Sequence, residues 1–187
     1  VSGDTGIAED KRQTILVCSA QADEGKTFSA VNLALSLAGE KDREVLLVDG
    51  DSVKPEILSI LGLEAGPGFV DAIADPTINP ENLVIQTDIE GLSVLPAGRP
   101  ENDVTELLAS ERTREVLAGL TRRRPKRVVI FDSPPALMAS PASVLATHVG
   151  QVMMVVRADK TTEADLREAI ALVSGCDHVG LLLNGAG

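Results

Sequence analysis

The sequence of 187 residues contains no tryptophan, no tyrosine and only three phenylalanines. A core with so few aromatic side chains must be built from Val, Leu, Ile and Ala, which favours a parallel sheet covered by helices. Long apolar runs are missing too, since none reaches the roughly 20 residues that cross a bilayer, and the N-terminus lacks the pattern of a signal peptide. Because the chain begins at Val1 instead of Met, we expect it to be trimmed from a longer protein.

Cysteine, histidine and positive charge are also scarce. Cys18 and Cys176 lack metal-ligand spacing and indicate a reducing, cytoplasmic setting, and two histidines exclude a histidine-rich metal site. The 17 basic and 28 acidic residues give a net charge of −11, which repels nucleic acid and anionic lipid, so we expect no nucleic-acid partner. The basic run at residues 122–127 is interpreted as a solvated helix end, with an anion or partner site as the alternative.

Apolar runs with strand character alternate with runs of helical periodicity after a loose lead-in over residues 1–12. Strands are predicted at 14–19, 44–51, 92–96, 128–132, 151–156 and 179–184, and helices at 26–39, 55–63, within 65–76, and at 103–120, 141–147 and 161–173. This alternation predicts a single α/β domain over residues 1–187, with three layers and a mostly parallel central sheet flanked by helices. In such folds ligands bind at the carboxyl ends of the strands.

The first predicted strand, TILVCS, leads through a short polar loop into Gly25-Lys26-Thr27 and a helix. Strand, small loop and helix in this order are typical of a P-loop, which binds nucleotide phosphates. Ala20 replaces the first glycine of the usual pattern, so a plain strand-to-helix turn is the alternative. As a P-loop, the segment would bind phosphate through the backbone and Lys26, and Thr27 would bind magnesium. The predicted nucleotide-binding residues of this segment are Ala22, Asp23, Glu24, Gly25, Lys26, Thr27 and Phe28.

Carboxylates mark the ends of two other predicted strands. Asp49 and Asp51 end the second, two apart on an extended chain, so that their side chains start toward the same face, and Asp132 ends the fourth. Because these ends meet at one sheet edge, we expect the carboxylates beside the loop, where ATP or ADP would need Mg²⁺ between phosphate and carboxylate. Thr27, Asp49 and Asp132 are the candidate metal-binding residues. Lys26, Asp49 and Asp51 are the candidate catalytic residues, one aspartate orienting a metal-bound water and the other accepting a proton.

Two motifs resemble those of a known family. VDGDSVKP resembles the second Walker motif, and IFDSPP the Walker B motif, of bacterial tyrosine kinases that regulate exopolysaccharide and capsule export. GLSVLPAGR, TELLASERT, VLATHVGQVMMVVRADKTT and VGLLLN are similar to the branch encoded with exosortase-linked systems. The resemblance implies the P-loop NTPase fold of partition and cell-division ATPases, the use of ATP with Mg²⁺, and a partner, the membrane chain-length-determinant protein (polysaccharide co-polymerase), that would hold the domain at the inner membrane face. It also makes Asn184 the candidate for reading the adenine base, with capping of its own loop as the alternative.

The departures from the family pattern leave three hypotheses open. The family phosphorylates a tyrosine-rich tail, whereas this chain has no tyrosine. A tyrosine kinase would therefore need phosphoacceptor tyrosines outside this chain. The second hypothesis is an ATP-controlled switch with little kinase activity, and the third is a partition-type or septum-site-type ATPase, which usually has a lysine where this chain has Gln21. The N-terminal oligomerisation motif of the family is not recognisable around Glu9–Arg12, and a homo-oligomer is left as a possibility.

Overall fold

The computed structural model describes residues 11–21, 25–51, 55–100, 102–122, 124–134, 136–137 and 140–185. Among these residues, one sheet contains the strands β1 (Thr14–Ser19), β2 (Glu44–Asp49), β3 (Ile85–Gln86), β4 (Leu92–Leu95), β5 (Arg127–Asp132), β6 (Gln151–Arg157) and β7 (Val179–Asn184). Their order is β3-β4-β2-β5-β1-β6-β7. Every neighbouring pair is parallel except β3 and β4.

Helices cover both faces of this sheet. They are α1 (Lys26–Ala38), α2 (Ile57–Ile60), α3 (Phe69–Ala74), α4 (Val104–Ala109), α5 (Glu111–Thr121), α6 (Ser140–Ala146) and α7 (Glu163–Leu172), with a 3-10 helix at Pro80–Leu83. Helices α1 and α2 pack on one face, and α3 to α7 supply the buried side chains of the core on the other. The predicted three-layer α/β fold is confirmed.

The central strands are buried on both faces, which explains their continuous apolar sequences. In β2 the four residues from Val45 to Val48 are at most 1% exposed. Alternate side chains point to opposite faces, so both faces of this strand need apolar residues. Phe69 of α3 packs edge-on against Phe131 of β5, with ring centroids 5.7 Å apart. This contact anchors α3 directly beside the carboxyl end of β5.

Two predicted elements differ from the structure. The helix predicted over 103–120 is two helices, because Ser110 has extended backbone (φ −73°, ψ 157°) that ends α4 and begins α5. The hydroxyl of Ser110 donates to the carbonyl of Leu107 (2.6 Å), at the end of α4. The strand predicted over 44–51 ends at Asp49, where the N–H of Gly50 donates to the carbonyl of Asp132 (2.8 Å). The antiparallel β3 and the 3-10 helix were not predicted from the sequence.

The basic run after α5 is not simply a solvated helix end. Arg127 is 3% exposed and donates to both carboxylate oxygens of Glu81 at 2.8 and 2.9 Å. Arg124 contacts Glu81 (3.3 Å) and Glu44 (3.7 Å). The interpretation as a solvated end is therefore wrong for Arg127, which fastens the 3-10 helix to β5.

Two expectations from the sequence are met within the described part of the chain. None of the helices there combines the length and the apolar character needed to cross a membrane. Cys18 and Cys176 are both buried and free, as expected for a chain without a disulfide framework.

Candidate nucleotide-binding site

The phosphate loop ends at Gly25, which begins α1. Gly25 has a left-handed backbone (φ 83°), and its carbonyl accepts the first helical hydrogen bond from the N–H of Ser29 (2.9 Å). The N–H groups of Lys26, Thr27 and Phe28 lie in the first turn, where no intrahelical acceptor exists, so they can bind an anion. The predicted nucleotide-binding residues Ala22, Asp23 and Glu24 lie outside the described residues.

Lys26 and Thr27 both contact Asp132, at the end of the neighbouring strand β5. The Nζ atom of Lys26 donates to Oδ1 of Asp132 at 2.5 Å, and the hydroxyl of Thr27 donates to Oδ2 at 2.7 Å. Lys26 is 7% exposed and Asp132 is 1% exposed. The structure therefore brings together the three residues to which the sequence assigned phosphate and metal binding.

Asp49 and Asp132 are direct neighbours, because they pair in the register of β2 and β5. Oδ1 of Asp49 accepts from the N–H of Asp51 (3.1 Å). Oδ2 of Asp49 is buried and, within the described part of the chain, has no hydrogen-bond partner. The two aspartates do not form the extended pair assumed from their spacing, since β2 ends at Asp49 and the N–H of Asp51 bonds to the side chain of Asp49. Their carboxylates therefore occupy different environments.

Burial dominates the electrostatics of these carboxylates. It raises the pKa of Asp49 to about 7, assisted by the negative charges of Asp132 and Asp51 and opposed by the hydrogen bond from Asp51 and the charge of Lys26. Burial also raises the pKa of Asp132, against the charge and hydrogen bond of Lys26 and the hydrogen bond from Thr27. Two adjacent buried carboxylates with one ammonium group leave excess negative charge. Such a site favours a cation.

Oxygen atoms are the ligands that Mg²⁺ prefers, and this cluster offers only oxygens. The hydroxyl of Thr27 and the carboxylates of Asp49 and Asp132 fit the ion, and the unpartnered Oδ2 of Asp49 is a buried acceptor for which a cation would compensate. The described residues contain no group of three or more His, Cys, Asp or Glu side chains able to hold a metal. A dedicated cage is not needed, because Mg²⁺ with a nucleotide takes one or two carboxylates and completes its shell with phosphate and water.

Asn184, at the end of β7, lies against the phosphate loop. A Cβ atom placed on Gly25 would come within 1.9 Å of the side-chain nitrogen of Asn184. The left-handed backbone favours glycine here, and a side chain at this position would displace the amide of Asn184, which lies beside the start of α1. Phe28 extends from the first turn of α1 and is 62% exposed.

Two further features of this edge were not foreseen from the sequence. Gly50 is required between the two aspartates, since a Cβ there would lie 2.9 Å from the carbonyl oxygen of Asp132. The loop after β4 is joined to α3 through Asp71, whose Oδ2 accepts from the N–H of Gly68 (2.8 Å) and Arg99 (3.3 Å). The available signal in the sequence was Gly68 of AGPG and Gly98 of PAGR, because the close approach of neighbouring atoms leaves no room for a side chain at either position. Gly68 and Asp71 thereby position Phe69, whose ring packs against Phe131, the residue before Asp132.

Cys18 precedes the loop but is not a nucleophile. It is fully buried in β1, and burial raises the pKa of its thiol to about 12, so the reactive thiolate is not formed at neutral pH. Lys26, Thr27, Asp49, Asp51 and Asp132 remain the candidate functional residues among the described residues of this edge.

Comparison with solved structures identifies close relatives of the whole domain. The VpsO kinase domain superposes with a TM-score of 0.83 at 33% identity, over 95% of this chain and 86% of that one. The BceF tyrosine kinase domain superposes with a TM-score of 0.81 at 30% identity, over 94% and 69%. The cell-division ATPase MinD of Pyrococcus furiosus superposes with a TM-score of 0.76, over 94% and 73%, but at 21% identity, which supports the fold alone.

Comparison of sequences agrees with the structures. EpsB of Ralstonia nicotianae, named as a candidate tyrosine-protein kinase, is 34% identical over 147 residues, which are 78% of this chain and 19% of EpsB. The chain thus spans about a fifth of that relative. No protein-family model matches the sequence. The identity to solved kinase domains over nearly the whole chain shows that it belongs to the bacterial tyrosine-protein kinase family.

Proposed function

We propose that this domain binds ATP with Mg²⁺ and transfers the γ-phosphate to the hydroxyl of a tyrosine. The observation that carries the proposal is the buried Oδ2 of Asp49, which has no hydrogen-bond partner among the described residues and lies beside the Lys26–Asp132 ion pair at the end of the phosphate loop. An unpartnered buried carboxylate oxygen is costly unless a bound cation compensates for it. Membership of the kinase family supports the same reaction.

The phosphates of ATP would lie on the backbone of residues 22–28, with Lys26 turned from Asp132 towards the terminal phosphates. Thr27, Asp49 and Asp132 would hold Mg²⁺, which neutralises charge on the phosphates when it is bound. The side-chain amide of Asn184 would contact the adenine. Its position against Gly25 favours this role over the capping of its own loop.

Asp51 is assigned the role of general base. In the transfer, the tyrosine oxygen forms a bond to the γ-phosphorus and the bond from that phosphorus to the β–γ bridging oxygen breaks. The hydroxyl proton passes to the carboxylate of Asp51, and ADP leaves with the bridging oxygen. Asp49 is less suited to this role, because its Oδ1 is engaged by the N–H of Asp51 and the residue is 1% exposed.

The acceptor must lie outside this chain, because the chain contains no tyrosine. We assign the domain to the regulation of exopolysaccharide or capsule synthesis and export, on the resemblance of its motifs. The partner would be a membrane chain-length-determinant protein, which would keep the domain at the inner face of the membrane. We expect no nucleic-acid partner, given the net charge of −11.

The test is transfer of labelled phosphate from ATP to a tyrosine-rich peptide in the presence of Mg²⁺. We expect label on peptide tyrosine, and its loss in a Lys26→Ala variant. Binding of ATP without transfer would instead favour an ATP-controlled switch. If neither ATP nor ADP with Mg²⁺ raises the melting temperature, nucleotide binding itself is wrong, since ligand at a hundred times its Kd adds about 2.7 kcal/mol.

A further inference from the structure

Phe28 differs from the other two aromatic side chains of the protein. Phe69 and Phe131 are at most 1% exposed and pack against each other, whereas Phe28 is 62% exposed. Single exposed apolar side chains are common on protein surfaces, so the exposure alone assigns nothing. The position of Phe28 is informative, because this residue belongs to the helical turn whose N–H groups would bind the phosphates.

The ring of Phe28 leaves α1 on the side away from the sheet. The buried residues of this helix include Lys26 and Ala30. With about 100° between successive residues, Phe28 lies about 200° from Lys26 and is opposite the packed face. The ring therefore lies over open solvent beside the phosphate loop.

Asn184 lies at the same end of α1. Leu182 packs into the core on the α1 side of the sheet, and Asn184, two residues further along β7, points to that same face. Gly25 contacts the amide of Asn184 and is one helical turn from Phe28, on the order of 5 Å along the helix. The exposed ring of Phe28 and the amide of Asn184 thus both lie at the start of α1, beside the turn whose N–H groups would bind the phosphates.

We propose that Phe28 is the stacking platform for the purine base of the bound nucleotide, while Asn184 meets the edge of that base. A flat aromatic face with an adjacent amide is the combination with which proteins hold unpaired bases. The inference rests on the proposed binding of ATP and adds the residue that distinguishes a nucleotide from a bare polyphosphate.

A polyphosphate that carries no base distinguishes stacking on Phe28 from binding of the phosphates. We expect Phe28→Ala to weaken ATP and ADP about tenfold and to leave inorganic tripolyphosphate unchanged, because stacking on an aromatic ring is lost and the phosphate-binding backbone is kept. Phe28→Tyr should restore nucleotide binding. Leu172→Ala is the matched control, since Leu172 is a 41% exposed apolar side chain on α7, outside this site.

The absence of tryptophan and tyrosine provides a second measurement. In Phe28→Trp the indole is the only tryptophan of the protein, so its fluorescence reports on this position alone. We expect ATP and ADP to change the emission and tripolyphosphate to leave it nearly unaltered.

Each outcome separates the two proposals. If wild-type protein binds ATP but Phe28→Ala binds it like Leu172→Ala, the stacking role is wrong and ATP binding stands. An equal loss of tripolyphosphate and ATP affinity in Phe28→Ala would also overturn stacking, because the defect would then lie in the phosphate loop. If the wild-type protein binds no nucleotide, the proposed function fails first.

Discussion

The ammonium group of Lys26 lies 2.5 Å from Oδ1 of Asp132, and the two side chains are only 8% and 1% exposed. Each neutralises the other inside the protein before any phosphate or metal arrives. The lysine that is proposed to bind phosphate is thus held by the carboxylate that is proposed to bind metal. Binding of ATP with Mg²⁺ must exchange this ion pair for two new ones.

Removal of one partner should therefore destabilise the fold more than removal of both. We expect Lys26→Met to lower the free energy of unfolding by about 3 kcal/mol, because it leaves the charge of Asp132 buried and uncompensated. The double variant Lys26→Met, Asp132→Asn should recover most of that loss while still failing to bind ATP. Urea unfolding measures the free energies of unfolding of the single and double variants. If the losses from Lys26→Met and Asp132→Asn simply add in the double variant, the two residues are not coupled.

Asp132 and Asp51 should differ in what their removal affects. We expect Asp132→Asn to weaken the Mg²⁺-dependent binding of ATP at least tenfold, because a candidate metal ligand is lost. Asp51→Asn should bind ATP normally and slow transfer, because only the proton acceptor is lost. ATP titrations with and without Mg²⁺, together with initial rates of phosphate transfer, distinguish the two variants. An equal loss of ATP affinity in both variants would refute this division of roles.

Asp49→Asn should stabilise the metal-free protein. At about pH 8, above the pKa of about 7 of Asp49, the change removes a charge that is 1% exposed and beside Asp132, and we expect about 1–3 kcal/mol of added stability. Measured in EDTA, the melting temperature should rise, whereas Asp88→Asn, at an exposed position, should leave it unchanged. With ATP and Mg²⁺ present, we expect the Asp49→Asn variant to have a lower melting temperature than the wild type. A destabilised Asp49→Asn variant in EDTA would mean that the carboxylate supports the fold.

Gly25 and Gly62 form a matched pair, because both have positive φ (83° and 69°) but only Gly25 lacks room for a side chain. Gly62→Ala should lose about 1 kcal/mol through backbone strain alone. Gly25→Ala should lose more and should also lose nucleotide binding, because its methyl group displaces the amide of Asn184. Thermal unfolding and ATP titration test both. Similar behaviour of the two variants would show that Asn184 moves aside without effect.

The Arg127–Glu81 contact should make stability depend on acid pH. Hydrogen bonds and charge from Arg127 hold the pKa of Glu81 below its usual 4.5. The unfolded chain then binds the proton more tightly, so this contribution is complete above about pH 4.5 and is lost as the pH falls through the folded-state pKa.

We accordingly expect Glu81→Gln to cost about 2 kcal/mol at pH 7, and the difference from wild type to shrink below the usual pKa of glutamate. Denaturant unfolding at a series of pH values measures this. Glu163→Gln is the control, because its contact with Arg167 is 78% exposed on both sides and should be worth little. A difference that stays constant down to pH 3 would mean that Glu81 is not held as a carboxylate.

Much of this fold could be predicted because its strands are buried on both faces. Continuous apolar runs such as VLLV and VVIF mark such strands, and a parallel sheet brings their carboxyl ends together, so Asp49 and Asp132 could be expected beside Lys26. What could not be predicted depends on contacts between distant segments. The different environments of Asp49 and Asp51 follow from the contact of Gly50 with β5, and the burial of Arg127 depends on Glu81, 46 residues away.

The two edges of the sheet have unequal consequences for how the chain behaves in concentrated solution. One edge ends in β3, two residues long and antiparallel. The other is β7, six uncharged residues with Leu181 and Leu183 about 60% exposed and, among the described residues, no strand on its outer side. Such an edge attracts its own copies, and the charge of −11 opposes that attraction. Colloidal stability should therefore fail first near the isoelectric point of about 4.6, where that repulsion vanishes.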